Sequence, residues 1–207
     1  MKNIINIFTT LIFIILTITS CKKDNDLNSI EGTYIVDATS YTNWVYFSFE
    51  KGDTITVTNP SNDNSWDIAF QRYNIKTNGG KSGNGLSAVA ETEKKGKNGL
   101  DSLSTVPENA NFIQDDTVII YGYNPQNPSQ PTQSKIVSNP VLSNWYNLEV
   151  SSTAASKLIS KKIVYVIKTA KGKYAKFYIE TYYGDDNVSG HIKFVYYYQN
   201  NGSKSFN

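Results

Sequence analysis

Apolar and polar residues alternate over short runs, and long stretches with helical periodicity are hard to find. The runs are rich in Thr, Val, Ile and aromatic residues, and Gly, Asn, Asp and Pro separate them. This pattern is typical of β-strands with one buried face. It predicts strands at Thr33–Ala38, Trp44–Phe49, Thr54–Thr58, Trp66–Ile75, Leu86–Ala90 and Thr117–Tyr121. Leu142–Leu148 is predicted as a helical turn.

The C-terminal third shows the clearest alternation. Lys162–Thr169, Tyr174–Tyr183 and Gly190–Gln199 are predicted as three strands. Because their connections are short, neighbouring strands must run antiparallel, as a β-meander. Their buried faces are expected to include Phe177, Ile179, Ile192 and Phe194. The predicted fold class is all-β, with mainly antiparallel sheets, long loops and at most short helices.

Three segments are predicted as loops. Glu91–Asp116 and Gly122–Asn139 are long, and the second carries three prolines. Gly79–Gly85 contains Gly-Lys-Ser, but a phosphate-binding P-loop needs a glycine where Ile75 stands and a helix after the lysine. A flexible hairpin loop is therefore expected there, and no nucleotide is predicted to bind.

The N-terminus has the pattern of a bacterial lipoprotein signal. Lys2 precedes the apolar run Ile4–Leu16, and small residues lead to Cys21. The run is shorter than a membrane span, so an uncleaved anchor helix is the less favoured alternative. We expect a signal peptide at 1–20, lipid attachment at Cys21, a charged tether at 21–28 and one domain at 29–207. The tether is either a plain solvated linker or a surface-export signal.

Charge and composition exclude several classes of function. The formal net charge is only +2, and Lys2 leaves with the signal, so no basic face for nucleic acid is predicted. Cys21 is the only cysteine and His191 the only histidine, which excludes disulfides, metal clusters and two-histidine metal sites. His191 is expected on a partly exposed strand. The Asp115-Asp116 and Asp185-Asp186 pairs are expected to cap turns, and no catalytic set is found, so the protein is not expected to be an enzyme.

An excess of aromatic residues is the remaining feature. They make up 13% of the chain, including 15 tyrosines. Tyr121, Tyr123, Trp145 and Tyr146 flank the Pro-rich loop, where they can form a pocket for a flat apolar ligand or a sugar ring. The alternative is that these rings fill sheet faces, as most tyrosines in such folds do.

Three blocks of the sequence resemble the HmuY family. Residues 66–80 (WDIAFQRYNIKTNGG) resemble its signature strand and loop. Residues 164–169 with 172–177 resemble its C-terminal hairpin, and residues 189–194 resemble its last strand. These blocks occur in the family's order after the lipoprotein signal.

The resemblance implies an outer-membrane lipoprotein, at the cell surface or on the periplasmic face. Such a protein binds haem, taken from host or environmental haemoproteins, and passes it to a TonB-dependent receptor. The family holds haem between loops at one end and ligates iron with histidine or methionine. This sequence departs there, because Met1 leaves with the signal and His191 lies on the last strand. Tyrosine ligation remains open, as does a non-haem ligand such as an apolar molecule, a glycan or a protein.

Overall fold

The computed structural model describes residues 29–122, 126, 130–151, 153 and 155–207. The predicted signal peptide, Cys21, the tether and Tyr123 lie outside the described residues. Thirteen strands are assigned in the described part of the chain. They are β1 Ser29–Asp37, β2 Val45–Ser48, β3 Asp53–Ile55, β4 Ile68–Gln71, β5 Asn74–Thr77, β6 Ala88–Lys95, β7 Asp116–Gly122, β8 Thr132–Ser138, β9 Tyr146–Glu149, β10 Lys157–Ser160, β11 Ile163–Lys168, β12 Tyr174–Tyr183 and β13 Ser189–Gln199.

A five-stranded antiparallel sheet, in the order β1-β13-β12-β11-β6, forms the centre of the fold. It contains the predicted C-terminal meander, so the all-β prediction is confirmed. Both faces of this sheet are buried. Phe177, Ile179, Ile192 and Phe194 belong to the main core, as expected, while Tyr178 belongs to a second core on the opposite face.

A four-stranded sheet, in the order β3-β2-β4-β5, packs over the main core. Phe47 on β2 lies with its ring centroid 5.0 Å from that of Phe194, nearly perpendicular to it. Phe70 on β4 stacks on the same ring at 5.5 Å. Aromatic side chains therefore join the two sheets, which accounts for a large part of the aromatic excess.

The opposite face of the central sheet is covered by helix α1, Gly96–Ser102, and by the C-terminal tail. The helix carries two glycines, and no side chain caps its N-terminus. A buried amine supports its C-terminal end, because Lys176 Nζ donates hydrogen bonds to the carbonyls of Leu100 at 2.7 Å and Leu103 at 2.8 Å. Tertiary contacts rather than local propensity therefore hold this helix.

Several predicted element boundaries were wrong. Glu91–Asp116 contains the end of β6 and α1, and Gly122–Asn139 contains β8. Trp66–Ile75 contains two strands with a turn at Arg72, whose φ is 52°. Leu142–Leu148 begins as a 3-10 helix over Leu142–Asn144 and then enters β9.

The glycine-rich segment 79–85 is a loop, as predicted, but it joins strands of two different sheets and is packed, so it is not a hairpin loop. A Cβ on Gly79 would lie 2.1 Å from the Ser87 carbonyl oxygen, and one on Gly83 would lie 2.1 Å from Asn78 Oδ1. The glycines are thus required by close approach of the surrounding chain. In the part of the chain that the structure describes, no helix has the length and hydrophobicity needed to cross a membrane.

Candidate ligand-binding site

Two β-hairpins form separate two-stranded sheets beside the body of the fold. The first hairpin is β7–β8 and the second hairpin is β9–β10. Among the described residues, ten large apolar side chains are exposed, and six of these lie on the hairpins or next to them: Ile119, Tyr121, Val137, Leu148, Val150 and Ile159. Apolar surface concentrated in one region marks a binding site more often than scattered exposed residues do.

One face of the first hairpin carries exposed apolar side chains among polar ones, with Ile119 opposite Lys135 of β8. Thr117, Ile119 and Tyr121 lie on one side of β7, and Thr117 pairs with Val137 on β8. Ile119 is 48% exposed and Tyr121 is 62% exposed.

The root of the first hairpin is fixed by Asp115, which is buried rather than a turn cap, so that expectation was wrong. Its carboxylate accepts hydrogen bonds from Thr77 N at 2.7 Å, Thr77 Oγ1 at 2.6 Å, Ser82 Oγ at 2.7 Å and Asn139 Nδ2 at 3.1 Å. Burial raises the pKa of Asp115, while these hydrogen bonds oppose the rise. Asp115 precedes β7 and Asn139 follows β8, so one cluster holds both ends of the hairpin on β5.

The second hairpin is rooted at the turn that precedes β5. Trp145, just before β9, donates a hydrogen bond from Nε1 to the Tyr73 carbonyl at 3.0 Å, and Asn139 N donates to the Ile75 carbonyl at 3.0 Å. On the other strand of this hairpin, Leu158 N donates to Tyr183 Oη at 2.8 Å. The segment 139–145 therefore joins the two hairpin roots along the edge formed by β5 and its preceding turn.

The structure places the predicted aromatic residues in different environments. Trp145 is buried in the main core, and its ring contacts that of half-buried Tyr146 at 5.0 Å. Tyr121 is exposed on the other hairpin, and Tyr123 lies outside the described residues. Trp145 thus packs against the buried side of Tyr146, and its own ring is not accessible to a ligand.

The apolar residues Ile119, Val137, Leu148 and Ile159 were missed as site candidates. In the sequence, Val118, Ile119 and Ile120 are consecutive apolar residues on a strand, so β7 has apolar residues on both faces. Such a run is the available signal, because alternate residues point to opposite faces and only one face of this hairpin is half-buried.

A haem iron needs one or two axial donor atoms from the protein, and few suitable donors among the described residues lie near the hairpins. His191 lies half-buried on β13, with Nδ1 3.2 Å from the Val188 carbonyl oxygen, and its neighbour Ile192 points into the main core. No cluster of metal-ligating side chains occurs within the described ranges. Tyr121 and Tyr146 offer phenol oxygens, but burial raises the pKa of Tyr146 and so disfavours its phenolate. Tyr121, which is 62% exposed, is the more accessible phenol of the two.

These features define an all-β protein with exposed apolar side chains on two separate hairpins. The family model described as HmuY protein matches residues 40–196. The chain therefore belongs to the HmuY family, which is a family of binding or carrier proteins rather than enzymes. No curated protein sequence matches it.

Solved structures share the fold. The apo HmuY analog of Tannerella forsythia is 23% identical, covers 83% of this chain and 96% of its own, and has a TM-score of 0.60. A protein from Bacteroides fragilis, assigned as a lipoprotein, is 25% identical over 84% of this chain and 92% of its own, with a TM-score of 0.60. A protein from Bacteroides vulgatus, assigned as an HmuY-like heme binding protein, is 27% identical over 84% of this chain and 93% of its own, with a TM-score of 0.58.

Proposed function

We propose that this protein is a lipid-anchored outer-membrane carrier that binds a flat apolar ligand of the porphyrin class between its two hairpins. Haem is the ligand that family membership favours. The observation that carries the proposal is the concentration of exposed apolar side chains on hairpins whose roots are rigidly held. A porphyrin offers a large flat apolar surface, and its burial against the exposed apolar side chains of the hairpins drives binding.

The lipid anchor and the receptor complete this proposal. Residues 1–20 direct export, Cys21 carries the lipid, residues 21–28 act as the tether, and residues 29–207 form the binding domain. The carrier takes haem from host or environmental haemoproteins and delivers it to a TonB-dependent receptor in the same membrane. Placement at the cell surface is consistent with both steps.

The iron is proposed to be weakly ligated. Without histidine or methionine near the hairpins, ferric haem is bound by a phenol oxygen of Tyr121, Tyr123 or Tyr146, or by water. The expected spectrum is five-coordinate and high-spin, because strong axial ligands on both sides are missing. The missing ligands also favour a second function, a carrier of a non-haem ligand on the same scaffold.

A haemin titration of the mature domain without its lipid, followed by Soret absorbance, tests this proposal. We expect a saturable change without a low-spin bis-histidine spectrum. Replacing Tyr121, Tyr123 and Tyr146 by Phe should change the spectrum most, since only the phenol oxygen is lost. His191→Ala is the control and should change it little. Loss of the signal in His191→Ala alone would place the site elsewhere, and absence of any saturable change would favour the non-haem carrier.

A further inference from the structure

A small cavity opens at the root of the first hairpin, and we name it the root pocket. Its volume is about 280 Å³. The indole of Trp44, which is partly exposed, forms one wall of the pocket, and Lys76 and Lys81 contribute two amines. The remaining lining residues are Ile136 and Val137 of β8 together with Pro60, Ser61 and Ser82. Cations beside an aromatic wall form a chemistry suited to a negatively charged group attached to an apolar body.

Lys76 provides a cation with few hydrogen-bond acceptors. Its Nζ lies 4.4 Å from the ring centre of Trp44, 5.1 Å from that of Tyr46 and 5.5 Å from that of Trp66. Its hydrogen bond to Tyr46 Oη is a long one, at 3.4 Å. An ammonium has three donors, so this amine has donor capacity left for a ligand.

The nearest carboxylate does not use that capacity. Asp115 acts on Lys76 through its charge, but its oxygens accept hydrogen bonds from Thr77, Ser82 and Asn139. Burial lowers the pKa of Lys76 to about 8. The amine is therefore still charged at pH 7, and it lies in a partly desolvated environment where a hydrogen-bonded anion interacts more strongly than in water.

Lys81 connects the root pocket to the face of the first hairpin that carries Ile119 and Tyr121. Its Nζ donates to Thr117 Oγ1 at 3.1 Å and also pairs with Asp116, which offsets part of its charge. Thr117 lies on the same side of β7 as Ile119 and Tyr121. The pocket therefore lies at the inner end of the proposed ligand surface.

We infer that the root pocket binds a carboxylate, with Lys76 as its main hydrogen-bond donor, Lys81 as a second cation and Trp44 as an aromatic wall. The ligand class is a flat or apolar body that carries an acidic group at one end. That the apolar body lies along the first hairpin rests on the proposed function. Carboxylate binding in the pocket itself does not depend on the proposed function.

Benzoate is the probe for this subsite, because it has a carboxylate on a ring small enough for the pocket. Binding is followed by NMR at the Trp44 indole N–H, assigned by its loss in Trp44→Phe. We expect a saturable shift with benzoate and none with benzamide, which has the same shape without the charge. Lys76→Met should raise the dissociation constant about tenfold or more, since a charged hydrogen bond is lost.

Lys135→Met is the matched control, because Lys135 lies on the same hairpin opposite Ile119 and does not line the pocket. It should leave the benzoate titration unchanged, and circular dichroism should show that both variants are folded. No saturable shift, an equal response to benzamide, or an unchanged constant in Lys76→Met would each overturn the inference.

Protoporphyrin IX and its dimethyl ester separate this inference from the proposed function. We expect the diacid to bind more tightly than the ester, and this preference to disappear in Lys76→Met. If neither porphyrin binds but benzoate does, the root pocket is supported and the porphyrin carrier is not. If both porphyrins bind equally and benzoate does not bind, the carrier is supported and the pocket is not.

Discussion

Replacing Asp115 by asparagine tests whether one buried carboxylate holds the root of the first hairpin. The change keeps the size of the side chain but turns one acceptor oxygen into an NH2 donor. If Oδ2 is replaced, the new donor faces the Thr77 N–H, and if Oδ1 is replaced, it faces the Asn139 amide. The hydroxyls of Thr77 and Ser82 can rotate and accept a hydrogen bond from the new NH2 group, whereas the Thr77 N–H and the Asn139 NH2 group can only donate.

The expected cost follows from the hydrogen bonds that are lost. A hydrogen bond to a charged group contributes about 1.5–3 kcal/mol, and a buried donor left without a partner costs about 1–3 kcal/mol. Loss of the buried charge offsets part of this cost, because burial already disfavours the ionised form of Asp115. We therefore expect Asp115→Asn to lower the free energy of unfolding by about 2–4 kcal/mol.

Urea unfolding at pH 7, followed by tryptophan fluorescence, measures this difference. Asp116→Asn is the matched control, since Asp116 is the adjacent carboxylate, is exposed and pairs with half-exposed Lys81. The control should lose less than about 1 kcal/mol. An Asp115→Asn variant as stable as the control would refute the role of Asp115 at the hairpin root.

Three further predictions concern the core, helix α1 and the lipid anchor. Burial raises the pKa of Asp67 from 3.8 to about 6, so the folded state binds the proton more tightly and gains stability as the pH falls from about 6 towards 4. The gain, at most about 3 kcal/mol, should appear in urea titrations across that range and be absent in Asp67→Asn. Lys176→Met should lower the free energy of unfolding by about 1–3 kcal/mol, since two helix carbonyls lose their donor, whereas exposed Lys204→Met should not; equal values for the two would contradict the capping role. Cys21→Ala should release the protein from membranes, and its retention after a high-salt wash would contradict lipid attachment at that residue.

The sequence predicted strands best where burial produces alternation. The strands of the C-terminal meander, which include Phe177 and Phe194, were located correctly because the core selects apolar residues at every second position. Strands β8, β9 and β10 were missed because the hairpins leave much of both faces exposed. Without a buried face, nothing imposes a period of two on their sequences.

Helix α1 was missed for a different reason. Its two glycines and uncapped N-terminus give no helical signal, and it forms because Leu100 is buried and Lys176 approaches from β12. Contacts between residues so far apart in the chain have no signature in a single sequence.

The candidate site was only partly predictable for the same reason. Tyr121 and Tyr146 lie on the two hairpins, on either side of the predicted Pro-rich loop. The burial of Trp145 follows from the long-range hydrogen bond to Tyr73, and the role of Asp115 follows from its contacts with three separate segments. Neither the partner of Trp145 nor the partners of Asp115 are recognisable from their spacing along the chain.

Titration of matched variants with metal-free protoporphyrin IX, followed by porphyrin fluorescence, tests the central claim most directly because iron ligation plays no part. Ile119→Ser with Leu148→Ser removes apolar surface from both hairpins, where these residues are 48% and 58% exposed. Ile35→Ser with Leu86→Ser makes the same changes on the body of the fold, where both residues are 52% exposed. We predict that the hairpin variant binds at least about tenfold more weakly than the wild type, since the two changes remove several buried methyl groups from the complex, and that the body variant binds like the wild type. Equal binding by the two variants would contradict a ligand site on the hairpins.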